Sequence, residues 1–150
     1  MRNKLAFRSI YFALGVLFAA TAQADLAEMR GSLFQAAEDA RAIALAKSAN
    51  VLAPISFAEA AELYDRADSM FDRSGSVDTI RKTLSKSENR FNKASEAADI
   101  AATALDSTIQ ARRDASSSDA KGYASDEWEA GEIAFAEATR RLERGSISSS

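Results

Sequence analysis

The chain has 150 residues, with 19 Lys and Arg against 22 Asp and Glu, and a formal net charge of -3. It contains no histidine and no cysteine, which excludes the commonest general base, a thiolate nucleophile, zinc sites built from Cys or His, and any disulfide. The acidic balance argues against nucleic-acid binding, because that function depends on clustered basic residues that neutralise phosphates.

The N-terminal residues 1–24 have the layout of a secretory signal. Basic residues precede an apolar run from Ile10 to Ala20, and the small-residue sequence Ala22-Gln23-Ala24 follows, just before Asp25. The run is about half as long as the roughly 20 apolar residues that a membrane-spanning helix needs. We therefore expect an exported protein, periplasmic or outer-membrane associated, that is cleaved after Ala24 and keeps no membrane span. The alternative is an uncleaved N-terminal anchor.

The remainder of the chain is predicted to be helical throughout. It is rich in Ala and straight-chain residues, which lose little entropy in a helix, and its apolar residues recur at spacings of three and four. The expected breaks are Pro54, the helix-stopping Gly75 with Asp78 as the next cap, and the Ser-rich stretch 116–123. The chain after Arg144 is expected to be a flexible Ser-rich tail. The prediction is an all-α fold of elongated antiparallel hairpins or a bundle of about four helices, near 26–51, 54–73, 78–115 and 125–144.

Large side chains are few, because many positions on the apolar stripes are Ala. Aromatic residues bury the most area per residue, so we interpret the aromatic stripe residues as the anchors of an otherwise Ala-filled core. The alternative is an aromatic patch that binds a partner helix or a glycan. The residues concerned are Phe57, Tyr64, Phe71, Phe91, Trp128 and Phe135.

The chain contains an internal repeat. Residues 53–71 align without a gap with residues 124–142, and the aligned pairs include Phe57 with Trp128 and Tyr64 with Phe135. Self-similarity at a fixed spacing is typical of repeated helical units. We expect a first repeat in residues 25–115 and a second, incomplete repeat in residues 116–150.

The sequence around Pro54 also carries a family resemblance. The run Ala49-Asn50-Val51-Leu52-Ala53-Pro54, an Ala/Glu helix, a Gly-containing turn and a second Ala-spaced helix resemble DUF4398, an uncharacterised helical domain. The resemblance covers roughly residues 34–105. Members occur in exported Gram-negative proteins, often ahead of an OmpA-like peptidoglycan-binding domain. That domain is absent from this sequence, so the resemblance implies an envelope-associated module and no peptidoglycan-binding residue.

No catalytic, cofactor-binding or metal-binding residue is predicted. Acidic residues at helical spacing are interpreted as solvated helix faces with Arg and Lys between them; they are Glu59, Glu62, Glu127, Glu129 and Glu132. We expect a non-enzymatic structural or interaction module, whose partner is another envelope protein or a second copy of itself. The alternative is a client-binding or chaperone-like periplasmic protein that holds extended clients along Ala-lined helices.

Overall fold

A computed structural model describes the backbone of residues 8–148 and the side chains of residues 25–145. Within residues 8–148 the secondary structure is seven α-helices and no strand, so the predicted all-α class is confirmed. No helix in this part of the chain is both long and apolar enough to cross a bilayer. The helices are α1 (Arg8–Ala46), α2 (Ala49–Leu52), α3 (Pro54–Asp72), α4 (Val77–Ala104), α5 (Asp106–Ser117), α6 (Ala120–Tyr123) and α7 (Ser125–Ser148).

The predicted count of about four helices is not confirmed, because two predicted helices are each divided. The first ends at Ala46, where Ser48 adopts a left-handed conformation with φ 57° before the short α2. The third is interrupted at Leu105, which has φ -110° and ψ 16° between α4 and α5. The last helix continues through Gly145 to Ser148, where a flexible tail was expected, because one Gly within a helix costs only about 1 kcal/mol relative to Ala.

The two strongest breaks lie where the sequence predicts them. Helix α3 begins at Pro54, whose missing N–H costs nothing in the first turn of a helix. Helix α3 ends at Asp72, shortly before the helix-stopping Gly75, and Ser74 adopts the left-handed conformation in the turn, with φ 55°. Gly75 is needed for a close approach, since a Cβ there would lie 2.9 Å from the carbonyl oxygen of Met70. Asp78 lies in the first turn of α4, where Ser76 takes the cap position.

The chain divides into two compact units, residues 1–35 and residues 36–150. In the first unit, Leu26 and Met29 are exposed, and the guanidinium of Arg30 lies 4.5 Å from the centre of the Phe34 ring. The expected signal peptide and its cleavage site at Ala24 lie outside the residues whose side chains the structure describes. The signal peptide therefore stays a prediction.

The core of the second unit is centred on the hairpin of α3 and α4. The rings of Phe57 and Phe91 meet edge to face, with their centres 5.3 Å apart. The hydroxyl of Ser87 donates a hydrogen bond of 2.8 Å to the carbonyl oxygen of Ala60 on the facing helix. That contact requires the two backbones to lie close together, which the small side chains between the helices permit. The fully buried residues of the hairpin are mostly alanines: Ala60, Ala67, Ala94, Ala98 and Ala101.

The second unit contains the same backbone motif twice, in two segments that we call the first copy (residues 36–72) and the second copy (residues 107–143). In each copy a helix ends, one left-handed residue follows, and a four-residue helix leads into a longer helix. The left-handed residues are Ser48 and Asp119, with φ 57° and 54°. Ala53 and Ala124, which join the short helix to the long one, also agree, with φ -138° and -142°. Equivalent residues are 71 positions apart throughout, so the structure extends the sequence repeat toward the N-terminus by α6 and nearly all of α5.

Candidate partner-binding groove

In the first copy, helix α4 covers the face formed by α2 and α3. Two contacts already described, between Phe91 and Phe57 and between Ser87 and Ala60, lie in this interface. Ion pairs close its rim, with Arg90 of α4 lying 3.2 Å from Glu59 of α3. The face carries small residues that this packing buries, and Ala49 and Ala53 are completely inaccessible to solvent.

In the second copy, the equivalent face is an open groove between α5, α6 and α7. The groove has a cavity volume of about 310 Å³. Its two large apolar residues are Trp128, which is half-buried, and Phe135, which is 7% exposed. We call it the α5–α7 groove. Its small-residue floor is formed by Ala111, Ala115, Ala120, Ala124 and Gly131.

Each floor residue corresponds to a buried alanine of the first copy. The five equivalents, in the same order, are Ala40, Ala44, Ala49, Ala53 and Ala60, none of which is more than 4% exposed. In the second copy, by contrast, Ala111 and Gly131 are exposed and the other three are half-buried. Solvent exposure differs between the two copies because α4 packs on the first copy, whereas no described helix lies in the groove of the second.

An ion pair joins the two sides of the α5–α7 groove. Arg112 of α5 donates two hydrogen bonds to the carboxylate of Glu132 on α7, at 2.5 and 2.8 Å. These hydrogen bonds lower the pKa of Glu132, while partial burial opposes the shift and the charge of Arg112 adds to it. The guanidinium of Arg112 also lies 5.3 Å from the centre of the Phe135 ring. The bidentate geometry gives this link between α5 and α7 a defined orientation.

The first copy contains an equivalent contact between an Arg guanidinium and an aromatic ring, which supports the structural equivalence of the two copies. Arg41 and Tyr64 occupy the positions of Arg112 and Phe135, and the guanidinium of Arg41 lies 5.5 Å from the ring centre. The hydroxyl of Tyr64 donates to the carboxylate of Glu38 at 2.8 Å. The sequence pattern predicts a solvated helix face for Glu132, so it does not reveal the pairing of this residue with Arg112 across two helices.

The six aromatic residues singled out from the sequence lie in different environments. Phe91 is completely buried and Tyr64 is 8% exposed, whereas Phe57 and Phe71 are half-buried. The structure brings Phe57 and Phe91 together in the α3–α4 interface, and it brings Trp128 and Phe135 together in the α5–α7 groove. Four of the six therefore lie away from the groove, and Trp128 and Phe135 line it.

A buried carboxylate that the sequence did not indicate ties the two copies together. Glu143 of α7 is 1% exposed and accepts hydrogen bonds from the backbone N–H groups of Ile55, at 2.8 Å, and Ser56, at 2.6 Å. These are free donors of the first turn of α3, which has no acidic residue of its own. Glu143 thus caps a helix 87 residues away in sequence, and no local pattern reveals such a contact.

Two of the acidic residues that the sequence assigns to solvated faces form ordinary surface pairs. Glu59 pairs with Arg90, and Glu62 pairs with Arg66 one turn along α3. Within the described residues, no group of three acidic side chains is placed to hold a metal ion. No protein-family profile, no curated protein and no solved structure matches this chain. The resemblance to DUF4398 therefore stays a prediction.

Proposed function

We propose that this protein is a non-enzymatic helical interaction module of the cell envelope that binds a partner protein through the α5–α7 groove. The observation that carries the proposal is the difference between the two copies. The same face of small and aromatic residues is buried under α4 in the first copy and open in the second. An open apolar cleft next to a half-buried Trp has the composition of a protein-binding surface, where aromatic residues provide much of the binding energy.

The envelope location rests on the sequence of residues 1–24, which has the order of a secretory signal. Intact-mass measurement of periplasmic material tests it, and the expected polypeptide begins at Asp25. Recovery of the protein with Met1 retained, in a membrane or cytosolic fraction, would contradict the proposed location. The interaction function would then need a partner in that compartment.

The groove itself is tested with an apolar fluorescent dye and two matched variants. A Cβ at Gly131 would meet no atom within 4 Å, so Gly131→Leu places an apolar side chain in the groove without a steric clash at its Cβ. Ala134→Leu adds the same side chain at an exposed position of α7 that does not line the groove. We expect dye fluorescence with the wild type and with Ala134→Leu, and a loss of most of it with Gly131→Leu. Equal fluorescence from all three proteins would refute a binding function for this groove.

A chaperone-like activity is the second candidate, and the openness of the groove favours it. A protein that holds extended clients needs an accessible apolar surface, whereas a purely structural module needs none. The discriminating measurement is the aggregation of a heat-denatured test protein in the presence of this chain. A chaperone-like protein suppresses aggregation, and Gly131→Leu would abolish the effect. A module with one specific partner leaves aggregation unchanged.

A further inference from the structure

We propose that the occupant of the α5–α7 groove is an amphipathic helix of the α4 type, supplied by another polypeptide. This inference rests on the proposed function and adds the chemistry of the partner. The first copy serves as the template for the partner helix, because α4 occupies the equivalent face there and its side chains show what this face accommodates.

Three features of α4 define the pattern of the partner helix. Phe91 provides the aromatic ring that meets Phe57, and Ser87, one turn earlier, provides the hydroxyl that donates to a backbone carbonyl of α3. One and two turns after Phe91, Ala94 and Ala98 are completely buried. The close packing of α4 on the first copy therefore places small residues at those positions. The partner helix is therefore expected to carry a hydroxyl residue and, four positions later, an aromatic residue. A small residue follows three positions after the aromatic residue, and a second small residue follows four positions after the first.

The second copy offers a matching contact for each feature. Trp128 stands where Phe57 stands in the first copy, so it presents an aromatic ring to the incoming aromatic residue. Gly131 stands where Ala60 stands, and its exposed position leaves the backbone open to an approaching hydroxyl. Because Gly lacks a side chain, the partner helix approaches α7 at least as closely as α4 approaches α3.

The charges around the groove also favour a helix of this type. Glu127 is exposed, lines the groove beside Trp128, and replaces the buried Ser56 of the first copy. In α4, Arg90 and Lys93 flank the aromatic Phe91. A helix of this type carries cations next to the aromatic residue that it places against Trp128, and their charge is opposite to that of Glu127 in the groove lining. We expect the affinity to fall as the salt concentration rises.

The probe for the test is a synthetic peptide of residues 77–104, added to the full-length protein. Trp128 is the single tryptophan of the chain, so its emission reports on this groove and not on the first copy, where the peptide competes with the chain's own α4. We expect a saturable blue shift of the emission, because a docked aromatic residue excludes water from the indole. A peptide with Phe91→Ser and Ala94→Glu serves as the control and should bind at least tenfold more weakly.

The variants make the location of binding testable. Gly131→Leu should weaken peptide binding at least tenfold, while Ala134→Leu should bind like the wild type, and circular dichroism checks that both remain helical. The proposal is overturned if millimolar peptide causes no saturable shift, or if Gly131→Leu binds as well as the wild type. It is also overturned if the protein alone sediments as a dimer that Gly131→Leu dissociates, because a second copy then fills the groove.

The outcomes separate this inference from the proposed function. Dye binding that Gly131→Leu abolishes, without peptide binding, leaves the groove as an interaction surface and removes only the α4-type partner. Absence of both dye binding and peptide binding removes the proposed function as well.

Discussion

Replacing Glu143 tests whether one buried carboxylate holds the two copies together. The carboxylate accepts two hydrogen bonds at the N-terminus of α3, and the N–H of Ser56 is buried while that of Ile55 is partly accessible to water. Hydrogen bonds to a charged group contribute about 1.5–3 kcal/mol each, and a buried donor left without a partner costs about 1–3 kcal/mol. Water can reach Ile55 in the variant, and the native state carries the cost of desolvating the carboxylate. We therefore expect Glu143→Ala to lower the free energy of unfolding by about 2–4 kcal/mol.

The amide variant separates charge from shape. Glu143→Gln keeps one oxygen acceptor and presents an NH₂ group to the second backbone donor, so about half of that loss, or about 1–2 kcal/mol, is expected. The assay is urea denaturation followed by circular dichroism, and Glu143→Ala should also lower Tm by on the order of 10 °C. Glu137→Ala is the matched control, since Glu137 lies on the same helix in an exposed pair with Arg141. If Glu143→Ala and Glu137→Ala unfold at the same urea concentration, the cap does not stabilise the protein.

Two further predictions concern the core and the groove. Phe91→Ala should lower the free energy of unfolding by about 3–5 kcal/mol, because the ring is completely buried. The control, Glu62→Ala on an exposed face, should change it by less than about 0.5 kcal/mol. Equal Tm values for the two variants would refute a core anchored by aromatic residues. The lowered pKa of Glu132 means that its pair with Arg112 contributes stability above the ordinary Glu pKa of 4.5 and loses it as pH falls through the lowered value. The difference between the urea midpoints of the wild type and Glu132→Gln should therefore shrink as the pH is lowered from 6 into the acidic range, and a difference that does not depend on pH would contradict the assignment.

The fold could be predicted from the sequence wherever a break depends on local chemistry. Pro54 cannot continue a helix from the preceding turn, so the start of α3 is evident from one residue. The break at Asp119 lies within the Ser-rich stretch 116–123, where the sequence predicts one. The break at Ser48 is different, because this residue adopts left-handed angles that its side chain tolerates but does not require. The break at Leu105 has no local signal at all. We infer that the boundaries at Ser48 and Leu105 depend on how the helices pack, which a single sequence does not display.

The candidate groove was only partly accessible to sequence reasoning. The repeat identified Trp128 and Phe135 as equivalents of Phe57 and Tyr64, but it did not show that one pair is covered by α4 and the other is not. That distinction depends on tertiary contacts. Arg112 and Glu132 looked like ordinary surface charges because their pairing crosses from α5 to α7, and helical spacing predicts only partners on the same helix.

The contact that Glu143 makes between the two copies is one-sided, because a side chain of the second copy caps a helix of the first. Helix α3 has no acidic residue in its first turn and takes a carboxylate from α7, whereas α7 carries Asp126 and Glu127 in its own first turn. A negative charge arriving at the start of α7 would meet two others already there, and the partial positive charge of the helix N-terminus is already compensated. The first turn of α7 is therefore poorly suited to accept the contact that Glu143 makes with α3. The contact between the copies consequently has a direction, from the C-terminal end of the second copy to the first turn of α3 in the first copy.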